Sequence, residues 1–199
     1  MVRKEGSQTR LSSRFEEALI YASRLHAEQN RKGTNIPYIA HLLGVTALVL
    51  ENGGDEDEAV AALLHDAVED QGGLKTLQEI RRRFGDRVAD IVDGLTDTYI
   101  HPKPPWRDRK NDYITHLRSA SQEVRRVSLA DKLHNARAIL STLQTEGEKT
   151  WERFHGGKSG TLWYYRTLVL IFQEGGSDFM TRELDRVVGQ IERLAASDG

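Results

Sequence analysis

With 199 residues, 38% hydrophobic and 29% charged, the chain is long enough for one domain that takes roughly 70% of its unfolded surface out of water. A formal net charge of −2 argues against a dedicated nucleic-acid binder, and the RRR cluster at 81–83 reads as a solvated helix face. The lack of cysteine excludes disulfides, thiolate metal sites and cysteine nucleophiles, and no apolar run approaches the roughly 20 residues that cross a bilayer.

In chain order, MVRKEGSQTR lacks the apolar core of a signal peptide. A cytoplasmic chain without a membrane partner is expected, with residues 1–12 as a flexible segment ahead of a domain over 13–199. Ser13 and Glu16 form a capping box before Phe15, Ala18, Leu19, Ala22 and Leu25, which recur at helical spacing. RKGTNIP ends that helix, and a second runs from Tyr38 to Asn52. Asp55 and Glu58 box the start of a third, which carries AALLHDAVED and runs out at QGG. Thr76 and Glu79 open a fourth, closed by Gly85, and Val88, Ile91, Val92 and Leu95 mark a fifth. IHPKPPW (100–106) holds three of the four prolines and must be loop. Helices follow through Tyr113 and Leu117, from about Gln122 to Leu143, from Thr161 to Gln173 and from Ser177 to Ala196, with HGGKSG (155–160) as a flexible break. Nothing alternates as βαβ, so an all-α, single-domain fold is expected.

The stretch AALLHDAVED puts His65, Asp66, Glu69 and Asp70 within roughly 140° of helical arc, opposite Val60, Leu64, Ala67 and Val68. Taken alone, that is an amphipathic helix with a wet face. Two polar residues on apolar faces favour a different answer. The helical neighbours of Asp131 are Val124, Val127, Ser128, His134, Asn135 and Ala138, so Asp131 is expected to be buried with Asn135. A buried carboxylate needs a partner, and a structural one (an arginine or a capping contact) and a metal stand as even alternatives. His41 lies among Pro37, Tyr38, Gly44, Val45 and Leu48 and points inward; by itself it would be a core histidine. Together, His41, His65, Asp66 and Asp131 form a mixed N/O set suited to Mn²⁺, Fe²⁺ or Zn²⁺. Four ligands leave water positions open on a six-coordinate ion, a catalytic arrangement. Glu69 and Asp70, one turn on, can then handle the proton of an attacking water. His26, His101, His116, His134 and His155 have no partner at ligand spacing, and Trp106, Trp151 and Trp163 read as packing residues.

His41, His65-Asp66 and Asp131 follow the H…HD…D pattern of HD-domain metal-dependent phosphohydrolases. RKGTNIPYIAH, LLHDAVED, FGDRVADIVDGLTD and SLADKLHNARAI resemble, more specifically, the hydrolase domain of the RelA/SpoT family, over roughly residues 13–175. The resemblance implies an all-α HD-type helical bundle and removal of the 3′-pyrophosphate from ppGpp and pppGpp by a stand-alone small alarmone hydrolase. It implies one Mn²⁺ per chain on His41, His65, Asp66 and Asp131, with Glu69 and Asp70 activating water. Arg31, Asn135 and Tyr164 would contact the nucleotide, and Lys32, Arg109 and Lys110, which lie near the motifs in sequence, are the further cations expected to meet its phosphates. The chain departs from the family in one extra residue between Arg31 and His41, and in its PKPPWRDRK and HGGKSG segments at the expected substrate entrance. Adenine alarmones such as (p)ppApp, NADPH, or a non-catalytic sensor role therefore stand as alternatives. The oligomeric state is left open.

Overall fold

Ser12, one residue ahead of the expected cap, starts the first helix in the computed structural model, which describes residues 9–99 and 102–197. The first eight residues of the expected N-terminal segment and His101 lie outside the described residues. The Ser12 side chain accepts from the Arg14 amide, while its own amide donates to Glu56. Residues 9–12 are thus tied to the following helices, with Thr9 also donating to the Gly54 carbonyl. Helix α1 (Ser13–Leu25) is followed by α2 (Ile39–Glu51) and α3 (Glu56–Leu64). The Asp55–Glu58 box forms as its sequence dictates, each side chain accepting from the other's amide at 3.1 and 3.0 Å.

The chain leaves the α-helix at His65–Asp66 and resumes it as the short α4 (Ala67–Asp70), so AALLHDAVED is not one continuous helix. Nor is α3 amphipathic: every residue from Glu58 to Leu64 is buried, with α1, α2 and α6 packed around it. A helix apolar on all sides must sit inside, and this one does. Next come α5 (Leu74–Phe84) and α6 (Asp86–Leu95), which share Gly85 at a φ of 91°, a backbone conformation that favours glycine. Thr76 lies inside α5, its hydroxyl donating to the Gln71 carbonyl, and does not cap it.

After the proline loop, α7 (Trp106–Ser119) leads into the 25-residue α8 (Gln122–Glu146), which crosses the molecule against α2, α6 and α10. A 3₁₀ turn (Gly147–Arg153) precedes α9 (Gly157–Glu174) and α10 (Phe179–Ser197). The expected break at HGGKSG is therefore shorter than its composition implied, because Gly157–Gly160 already belong to α9. Among the described residues the only extended pairing is an isolated bridge between Asn30 and Pro37. No described helix is long and apolar enough to cross a membrane.

One core cluster links α1 through α10. Phe84 is 2% exposed at the end of α5, with its ring against Tyr21 of α1. Phe84→Ala should lower the unfolding free energy by about 3–5 kcal/mol, since a cavity replaces the ring. Urea denaturation measures it directly; a loss below about 1 kcal/mol would mean that the α1–α5 contact collapses around the gap.

Candidate active site

The break after α3 orients the centre of the molecule. On a continuous helix the side chains of His65 and Asp66 would diverge by about 100°. At the break, His65 Nε2 comes within 2.9 Å of Asp66 Oδ2. His41, in the first turn of α2, points its Nε2 at the same place, 3.6 Å from Asp66 Oδ2 and 3.2 Å from Asp131 Oδ1 of α8. Asp131 Oδ1 is also 3.7 Å from His65 Nε2. His41, His65 and Asp131 are buried, and His41, His65 and Asp66 offer donor atoms that all lie within 4.8 Å of one another.

The hydrogen bonds of this cluster suit a cation at its centre. His65 Nδ1 lies 2.8 Å from the Ala62 carbonyl, to which it must donate, so the neutral ring presents a bare lone pair at Nε2. That atom is buried and has no hydrogen-bond partner among the described residues, despite its closeness to Asp66. Burial alone would push the His65 imidazole down, but Asp66 and Asp131 reverse this and raise it well above its usual range. The carboxylates therefore call for positive charge where the lone pairs converge. The Asp131 carboxyl is held well below the carboxylate range: burial raises it, but Lys132, His41 and His65 outweigh burial. Two imidazole nitrogens and two carboxylates fit a divalent metal of the transition series, and a closed cage of oxygens for Ca²⁺ is absent from this set.

Neighbours orient each acid. Tyr38 Oη donates to Asp66 Oδ2 at 2.5 Å, and its phenol is raised far above normal by burial first and then by Asp66, so it keeps the proton it donates. Lys132 Nζ donates to Asp131 Oδ2 and Asn135 Nδ2 to Asp131 Oδ1, each at 2.5 Å. The cation beside Asp131 is thus Lys132, not an arginine. Arg31 Nη2 donates in turn to Asn135 Oδ1 at 2.9 Å. One turn beyond Asp66, Glu69 pairs with Lys103 at 2.6 Å and Asp70 accepts from Gln29 Nε2 at 2.8 Å. The Asp70 carboxyl is raised, by loss of water first and then by Asp66.

Tyr38, Lys132 and Asn135 also line a cleft of about 530 Å³ that begins at the cluster. Its walls include Arg31, Lys32, Lys110, Trp106, Tyr164 and Tyr165. The Tyr164 hydroxyl is buried there and has no hydrogen-bond partner among the described residues. Lys110 is pushed down to about 7, by burial first and then by Lys132 and Arg109. Arg109 itself does not line the cleft: its guanidinium is paired with Asp97, its Nε donates to the Pro104 carbonyl, and Lys110 shares Asp97 at 3.3 Å.

Trp106 does more than fill space. Its ring lies edge-on to Tyr164 and covers Gly156 and Gly160, where a Cβ would come within 2.7 and 3.1 Å of it. The two segments that depart from the family pattern are therefore interlocked at the mouth of the cleft. Tyr38 and His134 both escaped the sequence reading as parts of this centre. His134, expected to have no partner, has its Nδ1 2.9 Å from that of His41. The i+3 spacing from Asp131 was the one available signal for it.

Comparison with known proteins places the chain in a family. The HD domain model matches residues 18–162. A guanosine-3′,5′-bis(diphosphate) 3′-pyrophosphohydrolase, MESH1, of Xenopus tropicalis is 43% identical over 126 residues, 62% of this chain and 68% of that protein. The human MESH1 is 39% identical over the same length. A pyrophosphohydrolase of Aquifex aeolicus is 37% identical over 128 residues, but the match spans only 18% of its length. Among solved structures, one described as a metazoan ortholog of SpoT that hydrolyzes ppGpp superposes with a TM-score of 0.75 at 27% identity, covering 92% of this chain and 97% of that one. The chain belongs to the HD-domain family, on its RelA/SpoT-type hydrolase branch.

Proposed function

We propose that this chain is a (p)ppGpp 3′-pyrophosphohydrolase. Water attacks the phosphorus joined to the 3′ oxygen, that P–O bond breaks, and pyrophosphate leaves with GDP or GTP as the other product. The observation that carries the reading is the join between a metal-type cluster and a cation-lined cleft through Tyr38, Lys132 and Asn135. The activity for which the MESH1 relatives are named supports the same substrate class.

In this reading His41, His65, Asp66 and Asp131 hold one Mn²⁺ per chain. An ion bound there would acidify a water and polarise a phosphoryl oxygen. Glu69 and Asp70 take the proton of the attacking water and return one to the leaving oxygen. Arg31, Lys32 and Lys110 offset phosphate charge, since unpaired phosphates in a closed cleft repel one another. Arg109 acts through the Asp97 it shares with Lys110, and so holds that lysine in place. Asn135 couples Arg31 to Asp131, and the Tyr164 hydroxyl, without a hydrogen-bond partner among the described residues, would bond the nucleotide. A small nucleotide is the partner in this scheme, in the cytoplasm where such nucleotides are made, with neither nucleic acid nor a membrane surface taking part.

The test is incubation of the purified chain with Mn²⁺ and ppGpp, with ppApp and NADPH in parallel, followed by nucleotide chromatography. Release of pyrophosphate from ppGpp supports the proposal; turnover of NADPH or ppApp alone reassigns the substrate.

A pH prediction follows from Lys110. Its pKa in the folded chain is lowered to about 7, so it is charged below that value and neutral above it. Capture of an anionic substrate should therefore weaken as pH rises through 7, giving a falling limb in kcat/KM, which reports the free enzyme. Lys110→Arg stays charged across this range and should remove the limb. An unchanged profile in Lys110→Arg would place the titration elsewhere.

A further inference from the structure

We propose that His134 is a positioning residue for the metal centre: it accepts the Nδ1–H of His41 and thereby holds His41 in the tautomer whose Nε2 lone pair faces the cation. This rests on the assignment of a divalent metal to His41, His65, Asp66 and Asp131.

The two Nδ1 atoms are 2.9 Å apart, with ring centroids separated by 4.8 Å and planes inclined at 59°. At that distance one nitrogen carries the proton and the other its lone pair. His41 Nε2 is the atom that faces Asp131 Oδ1 and Asp66 Oδ2. A metal taken there leaves the His41 proton on Nδ1, and His134 Nδ1 must then be the acceptor, with its own proton on Nε2.

The two ligand histidines obtain their orienting partners differently, and the reason is local. His65 caps the end of α3, where the Ala62 carbonyl three residues back is available for its ring. His41 sits in the first turn of α2, where the Tyr38 carbonyl three residues back already accepts the His41 amide. Its partner comes from another helix, and α8 supplies it. Room for that partner is made on His41's own helix: a Cβ at Gly44 would collide with Cδ2 and Nε2 of His134. Gly44 lies three residues after His41 and so on the same face. A glycine in mid-helix is unfavourable relative to alanine, and here it opens the slot that the ring fills.

Three variants test this: His134→Gln keeps an acceptor, His134→Phe keeps a ring without one, and Gly44→Ala closes the slot. Mn²⁺ affinity is read by competition with a chromophoric chelator, and site geometry by the visible absorption of the Co²⁺-loaded chain. His134→Phe and Gly44→Ala should each bind Mn²⁺ about 10–100-fold more weakly than the parent, with an altered Co²⁺ spectrum. His134→Gln should stay close to the parent in both. Parent-like affinity in His134→Phe overturns the proposal, as does a loss in His134→Gln equal to that in His134→Phe, which would reduce His134 to packing. Parent-like binding in Gly44→Ala, or a parent that binds no divalent ion, overturns it too. No nucleotide enters this measurement. The expected shifts without pyrophosphate release would sink the hydrolase reading alone, and unshifted binding with intact release would sink only the role of His134.

Discussion

Asp131→Ala should yield a chain that no longer binds a divalent metal and hydrolyses ppGpp roughly a thousandfold more slowly or worse, because the acidified water disappears with the ion. Asp131 is the residue through which α8 enters the cluster, with Oδ1 facing both imidazoles and Oδ2 taken by Lys132. Its removal also leaves Lys132 without its main counter-charge. Breaking a buried pair in this way costs about 3–5 kcal/mol, so the alanine variant should melt early for a reason unrelated to metal. Asp131→Asn keeps the volume and opens no cavity, but it too removes the charge that Lys132 faces, so the melting temperature of the metal-free chain does not report on the ion. The clean readout is the metal-induced shift in melting temperature. At a hundredfold excess over Kd, binding stabilises the parent by about 2.7 kcal/mol, or ~5–10 °C for a chain of this size. Asp131→Asn should show almost none of that shift. A variant that retains the full metal-induced shift would remove Asp131 from the ligand set.

The helices and the four candidate ligands were legible in the sequence because they depend on local pattern. Periodic apolar residues, the Asp55–Glu58 box and Gly85 each act over a few residues, and each appears where its chemistry requires. His41 and Asp131 stood out because a polar group on an apolar face is informative even when its partner is unknown. The partners themselves were not legible. Periodicity tells which face of α8 is buried, but not that Lys132 turns back to Asp131 or that His134 meets a histidine 93 residues earlier. Arg109 illustrates the same limit from the other side. Its neighbourhood in sequence suggested a phosphate contact, whereas tertiary packing commits it to Asp97. The break at His65–Asp66 was hidden too, because no glycine or proline marks it. It follows from burial, since α3 is enclosed on all sides and the chain must turn to bring both ligands to one point.

Glu69→Gln and Asp70→Asn should each lower kcat by about 10²–10⁴-fold while leaving metal affinity and KM near the parent values. The reason is their place in α4, one turn past Asp66 and outside the residues that line the cleft, so they serve neither the ion nor nucleotide binding in the scheme proposed. The two are held differently. Glu69 is ion-paired to Lys103, which anchors the proline loop to α4. Asp70 has its carboxyl raised, first by burial and then by Asp66, and accepts from Gln29. A carboxyl that works as a base must be ionised, so activity should fall as pH drops through the raised Asp70 value. Asp70→Asn should erase that acid limb along with most of the rate, whereas Glu69→Gln should lower the rate and leave the limb. If instead both variants bound the metal more weakly and regained parental kcat at saturating Mn²⁺, α4 would belong to the ion-binding set and the proton would have to be handled by another group. Tyr38 is the adjacent hydroxyl already donating to Asp66, and its strongly raised pKa makes it a poor base, so that outcome would point to water itself.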